Sequence, residues 1–400
     1  MVNIPQLIKQ IKGTNMDNLL YNETELMLAK TVQDFAQDYL VPMAPILDER
    51  EEFPMENFHR LASMGLLGIT IDEKYGGSGG GFKEFSIVTE EIAKACGATS
   101  AIYGSHIGLV LQSIARFGNE EQKSKFLPPL IDGTSVGAWG LTEPESGSDV
   151  ASMSTTCTPA DSLYKLNGTK HFITNGDVAD TFVIYATQNR ELKAKGVNCL
   201  VVDRNTPGFQ TIKQDGKLGM KASSTAELIF EDCPIPEENR LGEEGTGFYS
   251  AMQILESSRI AIAAQSVGIG QACLEAATNY AVSRKTFNNP IASYQAIQWM
   301  LADMATEIDA ARLLTRRASI LKDMKEPHNK EASMAKLFAS ESANRAATKA
   351  VQILGGYGYF KSSHVERYFR DAKITEIYEG TSEIHRMIIS RSIINQANSN

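Results

Sequence analysis

Residues 297–314, IQWMLADMATEIDAARLL, place Ile297, Leu301, Met304, Ile308, Ala311 and Leu314 at spacings of 4, 3, 4, 3 and 3. Apolar residues at that spacing form one stripe along a long helix, the pattern of a helix packed in a bundle. Phe248–Arg284 before it and Glu331–Leu354 after it read the same way, so the chain from Gly247 onward is expected to be long helices. Upstream the character changes. Val136–Leu141, Thr181–Ala186, Asn198–Val202 and Thr225–Phe230 are short, rich in apolar, β-branched or aromatic residues, and separated by turn residues, as strands are. Asn167-Gly168, inside Leu166–Thr169, signals a hairpin, because Asn-Gly tolerates the positive φ of a type I′ turn. Further upstream, residues 20–132 read as mostly helical. Glu25–Tyr39 carries Leu26, Val32, Phe35 and Tyr39 near helical spacing, Gly76–Gly81 interrupts before Phe82–Ala95, and Glu120–Leu127 is expected to stop at Pro128-Pro129. Helices, then strands, then helices, segregated rather than alternating, give an α+β class. We divide it into an N-terminal α-helical domain (1–134), a middle antiparallel β domain (135–245) and a C-terminal four-helix bundle domain (246–400).

At 400 residues the chain is long enough for two or three such domains. Its 42% hydrophobic and 22% charged residues exclude a disordered chain, and 31 Gly with 13 Pro exclude a collagen-like one. With 39 basic against 48 acidic residues the net charge is −9, and no basic run appears, so no nucleic-acid partner is expected. No stretch approaches the roughly 18 apolar residues of a membrane span, so no transmembrane helix is expected. The first 16 residues, with Lys9 and Lys12 as their charges, resemble neither a secretory signal nor an arginine-rich transit peptide. The five cysteines (Cys96, Cys157, Cys199, Cys233, Cys273) are odd in number and form no C-x-x-C pair. Neither disulfides nor zinc is expected, and a reducing compartment fits. The cytoplasm is the default location, or the mitochondrial matrix in a eukaryote.

Five stretches bear on chemistry. GGSGGG at Gly76–Gly81 neither follows a strand of a βαβ unit nor contains G-K-S/T, so it reads as an interhelical turn rather than a phosphate loop. GGYG at Gly355–Gly358 closes a long helix, where glycine serves as a C-cap, and the same glycines let a ligand ring approach the backbone. LTEPESGSD at Leu141–Asp149 leaves a strand for a polar loop, either an ordinary turn or a set of N–H and hydroxyl donors for an anionic or heteroaromatic ligand. RKTF at Arg284–Phe287 puts two cations at a helix end, where they suit the dipole and could also fork onto a pyrophosphate. Near the C-terminus, Gly380-Thr381-Ser382 starts a helix with hydroxyl caps, and Glu379 stands just before it beside Tyr378. A carboxylate beside an aromatic and a turn suits a poised base, with Glu376 and Glu383 as competitors.

Taken together and in order, these stretches resemble the acyl-CoA dehydrogenase family, flavoproteins of β-oxidation of fatty acids and of branched-chain acid oxidation. The matching motifs are Gly140–Pro144 with Gly147-Ser148-Asp149, Phe172–Gly176, Arg259–Ala264, Arg284–Phe287, Gln352–Gly358 and Ile377–Ile384, spanning about residues 20–395. The resemblance implies FAD as cofactor and an acyl-CoA thioester as substrate. By position, Trp139, Leu141, Thr142, Gly147 and Ser148 would line the flavin, Ser148 also reaching the substrate. Phe172, Ile173 and Thr174 would flank the isoalloxazine, Phe172 standing where many relatives carry Trp. Thr381 and Glu383 would reach the ribityl and pyrophosphate region. Arg284, Thr286, Phe287, Tyr294, Gln295, Gln352, Gly355 and Gly356 would reach the FAD of a neighbouring subunit, which implies a homo-oligomer, a tetramer in this family. Tyr294 stands where some members have His. Glu256, Arg259, Gly380 and Arg391 would contact the substrate.

By the same resemblance Glu379 would take the α-proton of the thioester and the β-hydrogen would leave as hydride to flavin N5, giving a trans-2-enoyl-CoA. The thioester carbonyl would be held by the flavin ribityl hydroxyl and the N–H of the base residue as enolate charge develops. A Glu of ordinary pKa, about 4.3, becomes a stronger base as burial disfavours its charge. Electrons would pass to electron-transfer flavoprotein. Isovaleryl- and long-chain-type members place their base Glu directly before the arginine matching Arg259; here that residue is Ser258, leaving Glu379. Glutaryl-type members carry an Arg in the segment matching Gly97–Tyr103, which has none here. Lys217–Phe230 and Asp303–Lys336 look closest to short-chain (butyryl-type) members, and the resemblance implies a short- or medium-chain acyl-CoA. The alternatives are an oxygen-using acyl-CoA oxidase-like enzyme, a non-catalytic flavoprotein acting in complex assembly, and an FAD-binding scaffold without substrate.

Overall fold

The computed structural model describes residues 21–398, so the reading of the first 16 residues lies outside it. Helix α1 (Glu23–Phe35) opens on a reciprocal cap: Asn22 Oδ1 accepts from the Glu25 N–H and the Glu25 carboxylate from the Asn22 N–H, both at 2.9 Å. A π-helical turn, Ala36–Leu40, then leads into α2 (Val41–Arg50). The extra residue per turn rotates the buried face. Leu40 is therefore buried, while Tyr39, expected on the apolar stripe, is 42% exposed. Glu25 is also buried, neutralised by Arg316 and by Lys83 at 3.0 Å.

Four helices complete the N-terminal part after α3 (Met55–Ser63): α4 (Phe82–Ala95), α5 (Gly97–Ser105), α6 (Gln112–Phe117) and α7 (Glu120–Ile131). Gly76–Gly81 is an interhelical turn, stitched by bonds such as Ser78 N–H to the Gly68 carbonyl and Gly80 N–H to the Ile69 carbonyl, both 2.9 Å. At Gly77 a Cβ would stand 2.0 Å from the Ile71 carbonyl oxygen, so the close backbone crossing requires glycine. Helix α7 does not stop before Pro128-Pro129 but carries both in its last turn. Their fixed φ suits a helix, and their carbonyls still accept, from Asp132 N–H at 3.0 Å and Ser135 N–H at 2.8 Å.

The middle part is one mostly antiparallel sheet. Its strands are β1 (Gly137–Gly140), β2 (Thr156–Ala160), β3 (Leu163–Thr174), β4 (Thr181–Thr187), β5 (Val197–Asp203), β6 (Phe209–Lys213), β7 (Thr225–Pro236) and β8 (Arg240–Leu241). The order is β6-β7-β3-β2-β4-β5-β8, with β1 alongside β4 in parallel. The expected hairpin at Asn167-Gly168 is not there. β3 runs through both residues, and the β2–β3 turn falls at Asp161-Ser162, with Asp161 at φ +54°. Asn167-Gly168 instead forms a bulge, where the register against β7 shifts and the Asn167 amide exchanges bonds with Asp232 at 3.1 and 2.8 Å. The same tolerance of unusual φ that suits Asn-Gly to a turn suits it to a bulge.

The C-terminal part starts with α8 (Gly247–Ser283). A small two-stranded ladder, β9 (Lys285–Thr286) and β10 (Asn289–Pro290), follows it. Then come α9 (Gln295–Asp323), α10 (Asn329–Leu354), α11 (Val365–Ile374) and α12 (Ser382–Asn398). Helices α8, α9 and α10 pack on one another, α4 packs on α8 and α9, α11 packs on α10 and α8, and α12 packs on α10. The stripe of α9 lies inward as expected, with Met304, Ile308 and Ala311 fully buried. Helix α10 presents Ala332, Ala335, Ala339, Ala343 and Ala346, all buried, and small side chains let helix axes approach closely. Helix α8 is long and apolar enough to cross a membrane, although Gln, Ser and Arg interrupt its apolar run. In the fold, 78% of its most apolar window is buried, which makes it the central helix of the bundle.

The three parts meet around the segments that carry the candidate site. Asp371 of α11 is buried and accepts from the Met220 N–H of the β domain, while Arg370 pairs with Asp48 of α2 at 2.7 Å. Within the β domain the loop after β1 is pinned by Lys170 of β3. Fully buried, it donates to the Glu143 carboxylate at 2.7 Å and to the Leu141 carbonyl at 3.0 Å. Glu143 also accepts from the Ser154 hydroxyl (2.7 Å) and the Thr155 N–H (3.0 Å). These partners outweigh its burial and hold its carboxyl down at about 2. K170M should leave a buried, unpaired carboxylate and lower unfolding stability by about 3–5 kcal/mol, measured by urea denaturation. Because the folded pKa of Glu143 lies below its ordinary 4.5, its stabilisation should be complete above pH 4.5 and fade as pH falls toward 2. Wild-type stability in K170M would refute this anchor.

Candidate active site

After α11 the chain turns through Thr375–Tyr378, with the Tyr378 N–H bonded to the Ile374 carbonyl at 3.1 Å. Glu379 at φ +53° and Gly380 at φ +104° then reverse it into α12. Thr381 caps that helix, its hydroxyl accepting from the Ile384 N–H at 3.4 Å. A left-handed Glu is uncommon and costs energy that its surroundings must supply. Three groups from other helices hold this turn. Ser258 Oγ of α8 donates to Glu379 Oε2 at 2.5 Å, Arg259 Nε to the Glu379 carbonyl at 3.4 Å, and Lys336 Nζ of α10 to the Gly380 carbonyl at 2.6 Å. Tyr378 is tied to Gln265 of α8, which donates to the Gly97 carbonyl at 3.0 Å.

Electrostatics separate the three glutamates. Burial pushes the Glu379 carboxyl up to about 7, against the Ser258 hydrogen bond and the charges of Arg259 and Lys336, which pull it down. Glu383 is exposed, and its own N–H together with Thr381 lowers its pKa. Glu376 pairs with Lys373 at 2.6 Å. Glu379 thus combines partial burial with a pKa near neutrality, the range in which a carboxylate works as a base.

The residues assigned to the substrate divide. Arg259 is 6% exposed and turned inward, its guanidinium on the Glu379 carbonyl and on Asn329 Oδ1 at 3.0 Å. In this position it holds the Glu379 turn. Arg391 is exposed and, with Asn329, Lys330 and Ser392, lines a groove of about 740 Å³. Glu256 is half-buried on α8.

On the β domain, Leu141 is buried, Thr142 half-buried, and Gly147 and Ser148 exposed in the loop that Lys170 anchors. Trp139 is turned away from that surface, its indole N–H donating to Ser113 Oγ at 3.2 Å and its ring 5.0 Å from Tyr185. What Trp139 can offer a ligand is backbone. Phe172 is 67% exposed at φ +59°, with the His171 ring edge-on at 4.1 Å and its N–H donated to Gln214 Oε1 at 3.2 Å. The His171 N–H donates to the Thr142 carbonyl at 2.8 Å, which puts Phe172 beside the loop. Ile173 is buried while Phe172 and Thr174 keep exposed surface, and Phe172 lies where the register against β7 shifts between the buried Lys170 and Ile173.

A third group lies at the far end of α8. Arg284, Thr286, Tyr294, Gly355 and Gly356 line an open cavity of about 650 Å³, together with Tyr280 and Tyr357. Tyr294 donates its hydroxyl to the Thr286 carbonyl at 2.9 Å. Phe287, 91% exposed, and the exposed Gln295 and Gln352 stand outside the lining. This cavity shares no lining residue with the Glu379 turn or the β-domain loop. Sequence reasoning missed Lys336, Asn329 and His385, which is buried beneath Gly380. The signal for Lys336 was available: it falls on the alanine stripe of α10, where a lysine has no packing reason to stand.

Three family matches follow the chain in order. The acyl-CoA dehydrogenase N-terminal domain matches residues 22–134, the middle domain 138–233 and the C-terminal domain 245–394. The chain is similar to the mitochondrial short-chain specific acyl-CoA dehydrogenase of Mus musculus, with 46% identity over 93% of this chain and 90% of the relative. It superposes on butyryl-CoA dehydrogenase from Megasphaera elsdenii with a TM-score of 0.91 at 39% identity, covering 94% of this chain and 99% of that one. A chain in a structure of the electron transferring flavoprotein of Acidaminococcus fermentans gives a TM-score of 0.92 at 41% identity, covering 93% and 98%. The fold, the order of the three domains and these identities agree: the chain belongs to the acyl-CoA dehydrogenase family, and it is an oxidoreductase.

Proposed function

We propose that this enzyme converts a short-chain acyl-CoA to its trans-2-enoyl-CoA with Glu379 as the base and FAD as the cofactor, passing electrons to an electron-transfer flavoprotein. The observation that carries the reading is the Glu379 turn: a partly buried carboxylate of pKa about 7, hydrogen-bonded by Ser258, in a left-handed turn that leaves its own N–H free of the preceding helix. The ionised carboxylate takes the α-proton, and the Glu379 N–H is the donor available to the thioester carbonyl as negative charge grows there. Arg391 and its groove suit the CoA end of the substrate.

The residues present fit FAD. The cavity at Gly355-Gly356 offers a guanidinium and a hydroxyl to a pyrophosphate, and at both glycines the space a Cβ would fill is open. Phe172, exposed beside Thr142, offers a face to a ring system. When bound, FAD supplies the acceptor for the β-hydrogen as hydride. Arg284, Thr286, Tyr294, Gly355 and Gly356 belong to a cavity separate from the Glu379 turn. We therefore assign them to the cofactor of a second copy, in a homotetramer whose subunits complete each other's sites. The five buried thiols suit a reducing compartment, and we assign the enzyme to the cytoplasm, or to the mitochondrial matrix in a eukaryote. The similarity to a short-chain enzyme and to butyryl-CoA dehydrogenase favours butyryl-CoA as the first substrate to try.

E379Q should keep its flavin yet lose about 10²–10⁴ in the rate of anaerobic flavin bleaching by butyryl-CoA; near-wild-type bleaching removes Glu379 as the base. In the wild type, kcat/KM should rise with pH through a midpoint near 7, since the base must be ionised and burial has raised its pKa. S258A removes a hydrogen bond to the charged form and should move that midpoint to higher pH; an unmoved midpoint contradicts the pairing. Reoxidation of the reduced enzyme should be fast with electron-transfer flavoprotein and slow with oxygen, and the reverse order would point to an oxidase.

A further inference from the structure

Lys336 has no exposed surface, and its ammonium donates to a backbone carbonyl, that of Gly380, at 2.6 Å. A surface lysine needs no explanation, but burying an ammonium sacrifices its hydration and requires compensation. This one is placed on the turn that must hold two successive left-handed residues, Glu379 at +53° and Gly380 at +104°. The Glu379 carbonyl takes Arg259 Nε of α8, and the next carbonyl takes Lys336 Nζ of α10. Two cations from two helices therefore fix two consecutive peptide planes. Beneath the turn, the ring of His385 stands 3.1 Å from where a Gly380 Cβ would lie, closing off that side. The charged groups facing Lys336 are Glu379, Arg259, Glu376 and Glu383, with Glu379 the strongest.

Resting on the reading of Glu379 as the base, we propose that Lys336 is a positioning residue for it: by holding the Gly380 carbonyl, its ammonium keeps the 379–380 turn left-handed and so sets where the Glu379 carboxylate and N–H stand. The chemistry itself does not pass through Lys336. Because a displacement of about 1 Å at a reacting group costs on the order of 10²-fold in rate, loss of this clamp should appear in kcat rather than in binding.

The test uses the FAD-loaded enzyme with butyryl-CoA. K336M removes donor and charge at similar length. It should lower kcat by roughly 10- to 100-fold, leave KM and flavin content near wild type, and move the pH midpoint upward, because a positive charge near Glu379 is gone. K349M, on the same helix and paired with Asp303 at 2.9 Å, is the control and should change neither readout. If K336M does not fold, K336Q, which lacks the charge and the reach to Gly380, is read by the same two measures with the same expected direction. Wild-type kcat with an unmoved midpoint in whichever variant folds overturns the proposal. So does failure of both variants to fold while K349M folds, since Lys336 would then serve the fold alone. Activity surviving in E379Q would overturn the base assignment instead, whereas an inactive E379Q beside a wild-type-like K336M overturns the role of Lys336 and nothing else.

Discussion

A carboxylate partly withdrawn from water, hydrogen-bonded by one serine and carried on a backbone that resists its own conformation, is the constraint around which this molecule is arranged. Burial alone would drive the Glu379 carboxyl to its neutral form, and full exposure would leave it too weak a base. Ser258, Arg259 and Lys336 offset that burial and leave its pKa near 7. Each comes from a long helix of the bundle, so the position of the carboxylate is inherited from helix packing. The small residues of α10 let it pack closely on α8, and Gly268 of α8, whose missing Cβ would meet the Glu90 carbonyl at 2.3 Å, lets α4 pack closely on α8.

The architecture was legible because its signals are periodic. The 4, 3, 4, 3, 3 stripe of α9 and the short β-branched runs of the middle segment each repeat a local preference that tertiary packing also wants. The errors came where one residue pattern serves two structures. Asn167-Gly168 suits a turn by its residue types and forms a bulge. Pro128-Pro129 was read as a helix stop and is a last helical turn. The π turn at Ala36–Leu40, which sends Tyr39 outward, has no marker in hydrophobic spacing, since the inserted residue shows itself only in how the helix then meets its neighbours.

The site was less legible than the fold. Unaided, the residues left Glu376, Glu379 and Glu383 as competitors, and what separates them is three-dimensional: a lysine beside one, water around another, and a serine from a distant helix on the third. The motif resemblance points to segments and does not say which way each side chain faces. Trp139 and Arg259 both turn inward.

The 2.5 Å between Ser258 Oγ and Glu379 Oε2 has one more implication. By the family resemblance, members of the isovaleryl and long-chain type would carry their base at the position Ser258 occupies, on a different element and far away along the chain. The two addresses converge on one point in space here, from opposite walls. A carboxylate placed at position 258 on the helix would therefore reach the same point as the one that Glu379 brings from the loop.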